Sequence, residues 1–267
     1  MGTKTKIDWC DSTWNPVTGC RHDCAYCYAR KIAERFGGVN YEDELENRYG
    51  EYDVVRLHAE EDVHELDRPI ADFYSGKKAP YPWEFDPTFH HYKLDEPKSW
   101  KKPRTIFVCS MADLFGEWVP DEWIEQVFEA CEAAPQHRYL FLTKNPKRYV
   151  DLYGNGILRV RDSFWYGSTI TGANEPFFFS RMPDDNPHTF CSIEPIIEPV
   201  GTMQEMPEWV IVGAETGTRK GKVAPRKEWI DEIAAECRRH RKPLFMKDSL
   251  HDLMGDDFKQ EFPWEVE

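Results

Sequence analysis

Near its start the chain carries the stretch Thr18-Gly-Cys-Arg-His-Asp-Cys-Ala-Tyr-Cys-Tyr28, which holds three cysteines with the spacing C-x3-C-x2-C. In an intracellular chain, cysteines this close together indicate a metal or cluster site rather than disulfides. Cys20, Cys24 and Cys27 are one ligand short of a closed zinc site. They suit a cubane iron–sulfur cluster in which one iron stays open to an exogenous ligand.

Cys10, in Ile7-Asp-Trp-Cys-Asp11, raises an alternative, which is a structural zinc site with this thiol as the fourth ligand. Zinc sites usually pair their cysteines as two short knuckles, and the second knuckle is missing here. The pattern therefore favours a cluster on Cys20, Cys24 and Cys27, with Cys10 as a small packed residue.

The composition limits the class of protein. With 267 residues the chain can bury a core as one α/β barrel or as two small domains. Its net charge of −14 argues against a large non-specific nucleic-acid surface but is compatible with a local basic groove. Eight cysteines without a signal peptide predict a cytoplasmic protein, in the host cytoplasm if the chain is viral. No apolar run approaches the ~20 residues that span a bilayer, so no membrane partner is expected.

Three regions follow one another along the chain. Residues 1–38 are predicted to hold the first strand (within residues 7–18), the cysteine loop and a helix over Ala25–Phe36. Residues 39–103 carry 16 acidic and 9 basic side chains and several prolines, which predicts an acidic insertion that serves as a lid or partner surface. Residues 104–267 are predicted to form the remainder of the barrel and an acidic tail at its edge.

Two features of the insertion have local predictions. The segment Val54–His58 is predicted as a strand. His90 and His91 resemble a metal-binding pair, but adjacent side chains of a strand point to opposite faces. These histidines are therefore predicted to lie on the surface.

From Arg104 onward, short apolar runs alternate with segments of helical periodicity, which predicts βαβ units and a parallel sheet. The predicted strands are Thr105–Cys109, Tyr139–Leu142, Phe164–Ile170, His188–Ile193, Trp209–Val212 and Pro243–Met246. The predicted helices are Asp121–Ala134, Pro146–Tyr153, residues 174–181 and a helix that Pro225 opens. Roughly seven strands in all favour a partial or complete (β/α) TIM-like barrel.

Polar residues follow nearly every predicted strand. Chemistry in such barrels lies at the carboxyl ends of the strands, so these residues are candidates for the site. They are Ser110, Asp113, Thr143, Lys144, Ser168, Thr169, Ser192, Glu194, Gly213, Glu215 and Lys247. For any single member, a solvated loop residue or a cap is an equally good interpretation. Buried charges among them must pair with each other or with a ligand.

The cysteine spacing, with the aromatic Tyr26 directly before the third cysteine, resembles the cluster-binding motif of the radical S-adenosylmethionine (SAM) superfamily. Most of the chain also resembles a phage and bacterial family of radical-SAM-like proteins, the Gp37/Gp68 type. The matching stretches are Trp14–Cys20, Cys24–Ala29, Trp100–Val108, Ser110–Phe115, Leu142–Pro146, Cys191–Pro195, Val210–Glu215 and Phe245–Lys247. The superfamily's Gly-Gly-Glu motif is not visible, and Ser110-Met-Ala-Asp113 occupies its place.

The resemblance implies a barrel of radical SAM type, with a [4Fe–4S] cluster on the three cysteines and SAM on the fourth iron. It implies reductive cleavage of SAM to a 5′-deoxyadenosyl radical, which abstracts a hydrogen atom. The cluster would need an electron donor such as flavodoxin.

The resemblance also implies roles for individual residues. The backbone of Tyr26 would face the adenine of SAM, Ser168 and Thr169 its ribose, and Asp113 its amino group. The residues implied in substrate binding are Lys144, Glu194, Glu215 and Lys247. The residues implied as hydrogen-atom donors are Cys109 and Cys191, for which a place in the core is the alternative.

Family members of this type further resemble enzymes of phage DNA hypermodification, which serves evasion of host restriction. This predicts an isomerase that converts an aminoacyl-thymidine from an N-linked to a C-linked form. A second enzymatic interpretation is a DNA-lesion lyase of the spore-photoproduct type. Both imply a modified nucleotide or DNA as partner. A third interpretation is a non-catalytic metal protein that binds a partner through residues 39–103.

Overall fold

The structure, a computed structural model, describes residues 5–37, 55–58, 63–70, 78–173, 188–202 and 206–265. Its main feature is a seven-stranded sheet in which all neighbouring strands are parallel. In spatial order the strands are β1 (Ser12–Trp14), β6 (Thr105–Val108), β7 (Arg138–Thr143), β8 (Phe164–Ile170), β9 (His188–Ile193), β10 (Trp209–Val212) and β11 (Leu244–Met246). The predicted α/β fold with a parallel sheet is confirmed.

This sheet is strongly curled. In a flat sheet, β1 and β10 would lie about 24 Å apart, because neighbouring strands are ~4.8 Å apart and five steps separate them. The ring of Trp9, just before β1, nevertheless lies 6.4 Å from the ring of Trp209 on β10. Beside β11, the amide of Asp248 donates to Asp8 Oδ2 over 2.9 Å. The sheet is therefore a partial (β/α) barrel, the smaller of the two predicted forms.

Large apolar side chains fill the concave face of the sheet. They form one cluster, which is Trp9, Phe107, Leu140, Trp165, Phe190, Trp209, Ile211 and Phe245. The tail closes the amino-terminal end of the strands, because Phe262 and Trp264 pack against this cluster and Trp209 Nε1 donates to the carbonyl of Glu261. The interior of the barrel is thus filled at this level, and the cavity that the three cysteines line opens towards the carboxyl ends.

Amphipathic helices cover the convex face. The long ones are α3 (Asp121–Glu132), α4 (Lys147–Gly154) and α5 (Lys227–His240). Helix α3 buries residues at helical spacing, including Ile124, Val127 and Cys131, as predicted. The two remaining short helices of the described residues beyond the cysteine loop are α2 (Glu96–Ser99) and α6 (His251–Met254). The helix predicted over residues 174–181 lies outside the described residues, and none of the described helices is long and apolar enough to cross a membrane.

A second, smaller sheet supports the cysteine loop. Its order is β2 (Val17–Thr18), β5 (Thr88–His90), β4 (Val63–Leu66) and β3 (Val55–His58). The predicted strand at Val54–His58 is thereby confirmed within one residue. The single strand predicted within residues 7–18 is instead two strands, because Asn15-Pro16 separates β1 in the barrel from β2 in this sheet. The role of residues 39–103 as an insertion that covers the site stays a prediction.

The surface prediction for His90 is wrong. The side chain is fully buried, with Nε2 2.9 Å from Thr18 Oγ1 and Nδ1 3.1 Å from Tyr92 Oη. The reason is topological, because β5 lies between β2 and β4 and is covered on both faces. Burial lowers the pKa of His90 well below its usual value, so the ring is neutral and structural.

Candidate functional site

A cavity opens at the carboxyl ends of the barrel strands. It encloses about 1070 Å³ of empty space, part of it continuous with solvent. Two facing parts of its lining carry most of the polar groups. We name them the cysteine wall, residues Cys20–Tyr28, and the charged wall, which consists of the lining residues Glu194, Glu215 and Lys247 together with Arg219, the partner of Glu215.

The cysteine wall presents all three cysteines of the motif to the cavity. Helix α1 (Tyr28–Phe36) begins directly after Cys27, whose sulfur accepts a hydrogen bond from the amide of Arg30 over 3.3 Å. The predicted helix over Ala25–Phe36 is therefore three residues too long at its start, because Cys27 is its cap.

The loop is positioned by close backbone contacts with the second sheet and with the loop after β6. The amide of Cys20 donates to the carbonyl of Phe85 over 3.1 Å, and Gly19 donates to Met111 over 2.9 Å. Gly19 has φ +89°, and a Cβ there would lie 2.2 Å from the carbonyl oxygen of Asp86. Only glycine fits this position, so the residue before the first cysteine is determined by packing.

These cysteines fit a cluster better than a single ion. Within the described ranges, no three or more Cys, His, Asp or Glu side chains are arranged to hold one metal ion. A cubane binds each thiolate on a different iron, so its ligands do not need to meet at one point. Burial raises the pKa of Cys20 to about 12, so binding iron there must release a proton.

Cys10 lies away from this wall. It lines a different cavity, at the amino ends of the strands, together with Asp11 and Arg138. Its sulfur is 3.9 Å from the carbonyl oxygen of Ile7, and burial raises its pKa to about 12. The arrangement does not support the zinc alternative, because Cys10 lines one cavity and the three cysteines of the loop line another.

Asp113 connects the cysteine wall to the barrel. Its Oδ2 lies 2.7 Å from His22 Nε2 and accepts from the amide of Lys144 over 2.9 Å. Its Oδ1 accepts from the hydroxyl of Thr143 over 2.7 Å and from the amide of Phe115 over 3.0 Å. Both oxygens are thus occupied, so the geometry makes Asp113 an anchor of the cysteine loop, and its contact with the amino group of SAM stays a prediction.

Lys144 contacts the aromatic residue of the motif rather than the charged wall. Its Nζ donates to the phenol of Tyr26 over 3.1 Å and lies 5.2 Å from the ring centroid. Burial raises the pKa of Tyr26, while the ammonium of Lys144 opposes that shift. Lys144 was predicted to bind substrate, and the structure gives it a second task, which is to orient Tyr26.

The charged wall consists of two ion pairs. Lys247 Nζ lies 2.5 Å from Glu194 Oε1, and Gly213 leaves room for the lysine stem, since a Cβ there would be 2.8 Å from Lys247 Cδ. Arg219 binds Glu215 through two hydrogen bonds of 2.6 and 2.7 Å. This guanidinium lowers the pKa of Glu215, so the carboxylate is ionised at neutral pH.

Three predicted site residues do not reach the cavity. Ser168 and Cys191 face the convex side of the sheet, because their neighbours Thr169 and Ser192 line the cavity and adjacent strand residues point to opposite faces. Cys109 has φ +59°, and its side chain packs in the outer core. None of the three is among the residues that line the cavity, and the contact of Ser168 with the ribose and hydrogen-atom transfer by either cysteine stay predictions.

The sequence missed two residues of the site, His22 and Arg219. His22 lies inside the cysteine motif, but its partner is 91 positions away. Arg219 lies in a loop, where no periodicity connects it to Glu215. In both cases the sequence did contain a signal, which was a charged or polar residue within four positions of a predicted site residue.

Comparison with known proteins gives one family and several solved structures. The model of a family described as "Protein of unknown function (DUF5131)" matches residues 4–254. No curated protein matches the chain. This match does not extend to the Gp37/Gp68 type, which stays a prediction.

The solved structures are three forms of spore photoproduct lyase, each 10% identical to the chain and covered over 79% of its length. A cysteine-to-serine mutant has a TM-score of 0.47 over 92% of this chain. A complex with dinucleoside spore photoproduct has a TM-score of 0.49 over 92% of this chain. A double mutant with bound AdoMet and dinucleoside spore photoproduct has a TM-score of 0.49 over 98% of this chain.

Proposed function

This chain belongs to the DUF5131 family, and we propose that it is a radical SAM enzyme that acts on a modified nucleotide in DNA. The observation that carries the proposal is the position of Cys20, Cys24 and Cys27. All three line one cavity at the carboxyl edge of a partial (β/α) barrel, on a loop that is anchored on both sides. A [4Fe–4S] cluster on these thiols and SAM beside it would supply a 5′-deoxyadenosyl radical when bound.

The remaining cavity residues position the two ligands. Tyr26, held by Lys144, would contact the adenine of SAM, and Thr169 would contact its ribose, while Asp113 holds the loop in register. The aromatic floor, with Trp9 and Phe107, keeps water out from below. A reactive radical needs such an enclosed site, because side reactions with solvent are then suppressed.

The charged wall is the proposed site for the polar part of the substrate. An amino-acid group carries one ammonium and one carboxylate, and it can exchange partners with the Glu194–Lys247 pair without leaving a buried charge unpaired. This supports the isomerase on aminoacyl-thymidine as the specific reaction. A lyase that acts on a DNA lesion is the second candidate, since its substrate is also a modified thymidine. In both cases a flavodoxin-type electron donor would reduce the cluster.

Anaerobic reconstitution tests the proposal. We expect about four irons per chain and formation of 5′-deoxyadenosine when SAM and a reductant are added. Incubation with DNA that contains aminoacyl-thymidine should then give a rearranged nucleoside of unchanged mass. Stoichiometric zinc instead of iron would contradict the radical proposal and favour the non-catalytic metal protein. Formation of 5′-deoxyadenosine without change in any thymidine derivative would exclude this substrate class only.

A further inference from the structure

The loop between β10 and α5 has the opposite charge to the rest of the protein. We name residues 216–226 the basic loop. It contains Arg219, Lys220, Lys222 and Arg226 and no acidic residue, in a chain whose net charge is −14. A polyanion approaching an acidic protein is repelled at long range, so a local run of cations is the surface on which it can settle.

The basic loop starts at the cavity. Its first residue, Thr216, lines the cavity together with Glu215, which ends the charged wall. Beyond that point the side chains of Lys220 and Lys222 are exposed. Within the part of the chain that the structure describes, neither lysine forms an ion pair. Lys227, just outside the loop, is by contrast bound to Asp231 and Asp257 and is neutralised.

The backbone of the loop is open to close approach. Gly217 and Gly221 have φ of +86° and +80°. A Cβ at Gly217 would meet nothing within 4 Å, and one at Gly221 would meet only the guanidinium of Arg219, at 3.9 Å. The exposed hydroxyls of Thr216 and Thr218 can serve as neutral donors next to the lysines, a combination that proteins use for phosphate groups.

We propose that the basic loop binds the phosphate backbone of the DNA substrate, so that one nucleotide can enter the cavity while its neighbours stay outside. The proposal deepens the proposed function and rests on it for the identity of the polyanion. Phosphate contacts of this kind fix the position of the strand and carry no sequence information, so the modified base itself is read in the cavity.

The test uses the full chain with its cluster reconstituted, and a fluorescently labelled single-stranded DNA of about 16 nucleotides. Binding is measured by anisotropy over a range of salt concentrations for the wild type and for Lys220→Ala/Lys222→Ala. We expect weaker binding in the double variant and a plot of log affinity against log salt that is shallower by about 2, or about one unit per lysine. A matched control is Lys101→Ala/Lys102→Ala, which removes the same charge at the amino edge of the sheet, where both lysines are exposed and precede β6. The control should retain the wild-type slope.

The outcomes separate this proposal from the enzymatic one. Equal salt slopes in the two double variants would overturn the assignment of the basic loop, as would a wild type that forms its cluster and cleaves SAM but binds no DNA. Binding of an acidic protein and not of DNA would also overturn it. Iron content and 5′-deoxyadenosine formation without DNA should be the same in all variants, because no residue changed touches the cysteine wall. If the wild type lacks iron yet shows the expected difference in slope, the proposed radical chemistry fails and the DNA-binding loop stands.

Discussion

The cysteine wall and the charged wall face the same cavity but are held in opposite ways. On the cysteine wall the loop is fixed by backbone contacts and by Asp113, and the three thiols are left facing the cavity. On the charged wall each carboxylate already has its cation, Lys247 for Glu194 and Arg219 for Glu215. The first wall thus offers groups that need an external partner, which suits a cofactor. The second wall offers charges that are already paired, so a ligand can bind them only by replacing one partner of an ion pair. Such an arrangement suits the recognition of a charged substrate.

The largest expected effect breaks the cysteine wall. In Cys24→Ala one of the three thiolates is gone, and we expect iron to fall from about four per chain to a small residual amount, with loss of the visible absorbance of the cluster. Cys10→Ala is the matched control and should keep its iron, because that thiol lines a different cavity from the three cysteines. Loss of metal in Cys10→Ala would contradict the assignment of ligands.

The next effect tests how the cysteine wall is anchored. Asp113→Ala leaves the buried hydroxyl of Thr143 and the partly exposed ring of His22 without their acceptor, and an unsatisfied buried group costs ~1–3 kcal/mol. We expect the free energy of unfolding, measured with denaturant, to fall by about 3–5 kcal/mol, the range for breaking a buried charged network. The cluster should also be lost faster on dilution.

Asp121→Ala is a control for Asp113, since it removes a carboxylate paired with Arg148 at a partly exposed position. A surface pair of this kind is worth at most about 1 kcal/mol. Similar losses in both variants would mean that Asp113 is an ordinary surface acid. If Asp113→Ala does not fold, Asp113→Asn, which keeps an acceptor, allows the same comparison.

A third experiment acts on the charged wall alone. In Lys247→Met, Glu194 loses its partner, so a substrate bound there is displaced while the cluster and SAM are not touched. We expect turnover of the DNA substrate to fall by about 100-fold, the usual cost of misplacing a reactant, with SAM cleavage unchanged. Lys259→Met, at a half-exposed lysine near Glu261, serves as the control. A parallel loss of SAM cleavage in Lys247→Met would show that the two walls do not act separately.

The smallest effect concerns pH and the second pair of the charged wall. Arg219 lowers the pKa of Glu215 in the folded state, so the pair stabilises the protein above the unfolded pKa of glutamate, about 4.3. That stabilisation is lost as the pH falls through the lower folded pKa. We therefore expect Arg219→Met to have a lower Tm than the wild type at neutral pH. The two Tm values should converge in acid.

Glu215→Gln provides the matched measurement for this pair. Its Tm should be lowered at neutral pH as well, and the double variant should be little worse than either single one, because both changes remove the same interaction. Strict additivity of the two changes, or a Tm difference that persists in acid, would mean that Glu215 and Arg219 do not stabilise the protein as an ion pair. The charged wall would then contain only the Glu194–Lys247 pair.

The hydrophobic pattern was sufficient to predict the parallel sheet and its covering helices, but not the exact residues at which each element begins and ends. The alternation of apolar runs and helical periodicity predicted the parallel sheet, and the inner face of α5 was correct at Ile230, Ile233, Ala234 and Cys237. The pattern could not separate β1 from β2, because both strands are short and belong to different sheets. Each strand pairs with a strand that is distant in the sequence. Two neighbouring strands can therefore join different sheets without any local signal in the sequence.

The sequence by itself determined that the three cysteines share one site, because residues within one short loop must lie close together in space whatever the rest of the fold. It also determined the carboxyl edge as the place where polar residues collect. Only the tertiary structure decided which of these residues reach the cavity. In a strand covered on both faces, both sides are apolar, so composition cannot tell that Thr169 and Ser192 point inward and Ser168 and Cys191 outward.

Partnership was likewise decided by the tertiary structure. The sequence predicted Asp113 as a site residue from its position after a strand. Its four hydrogen-bond partners could not be predicted, because the fold brings them together from different segments of the chain. The same holds for Glu194 and Lys247, which are 53 positions apart and meet because β9 and β11 lie on either side of β10. A charge in the sequence has no fixed partner, and curling the sheet brings the carboxyl ends of its strands close enough for these side chains to pair.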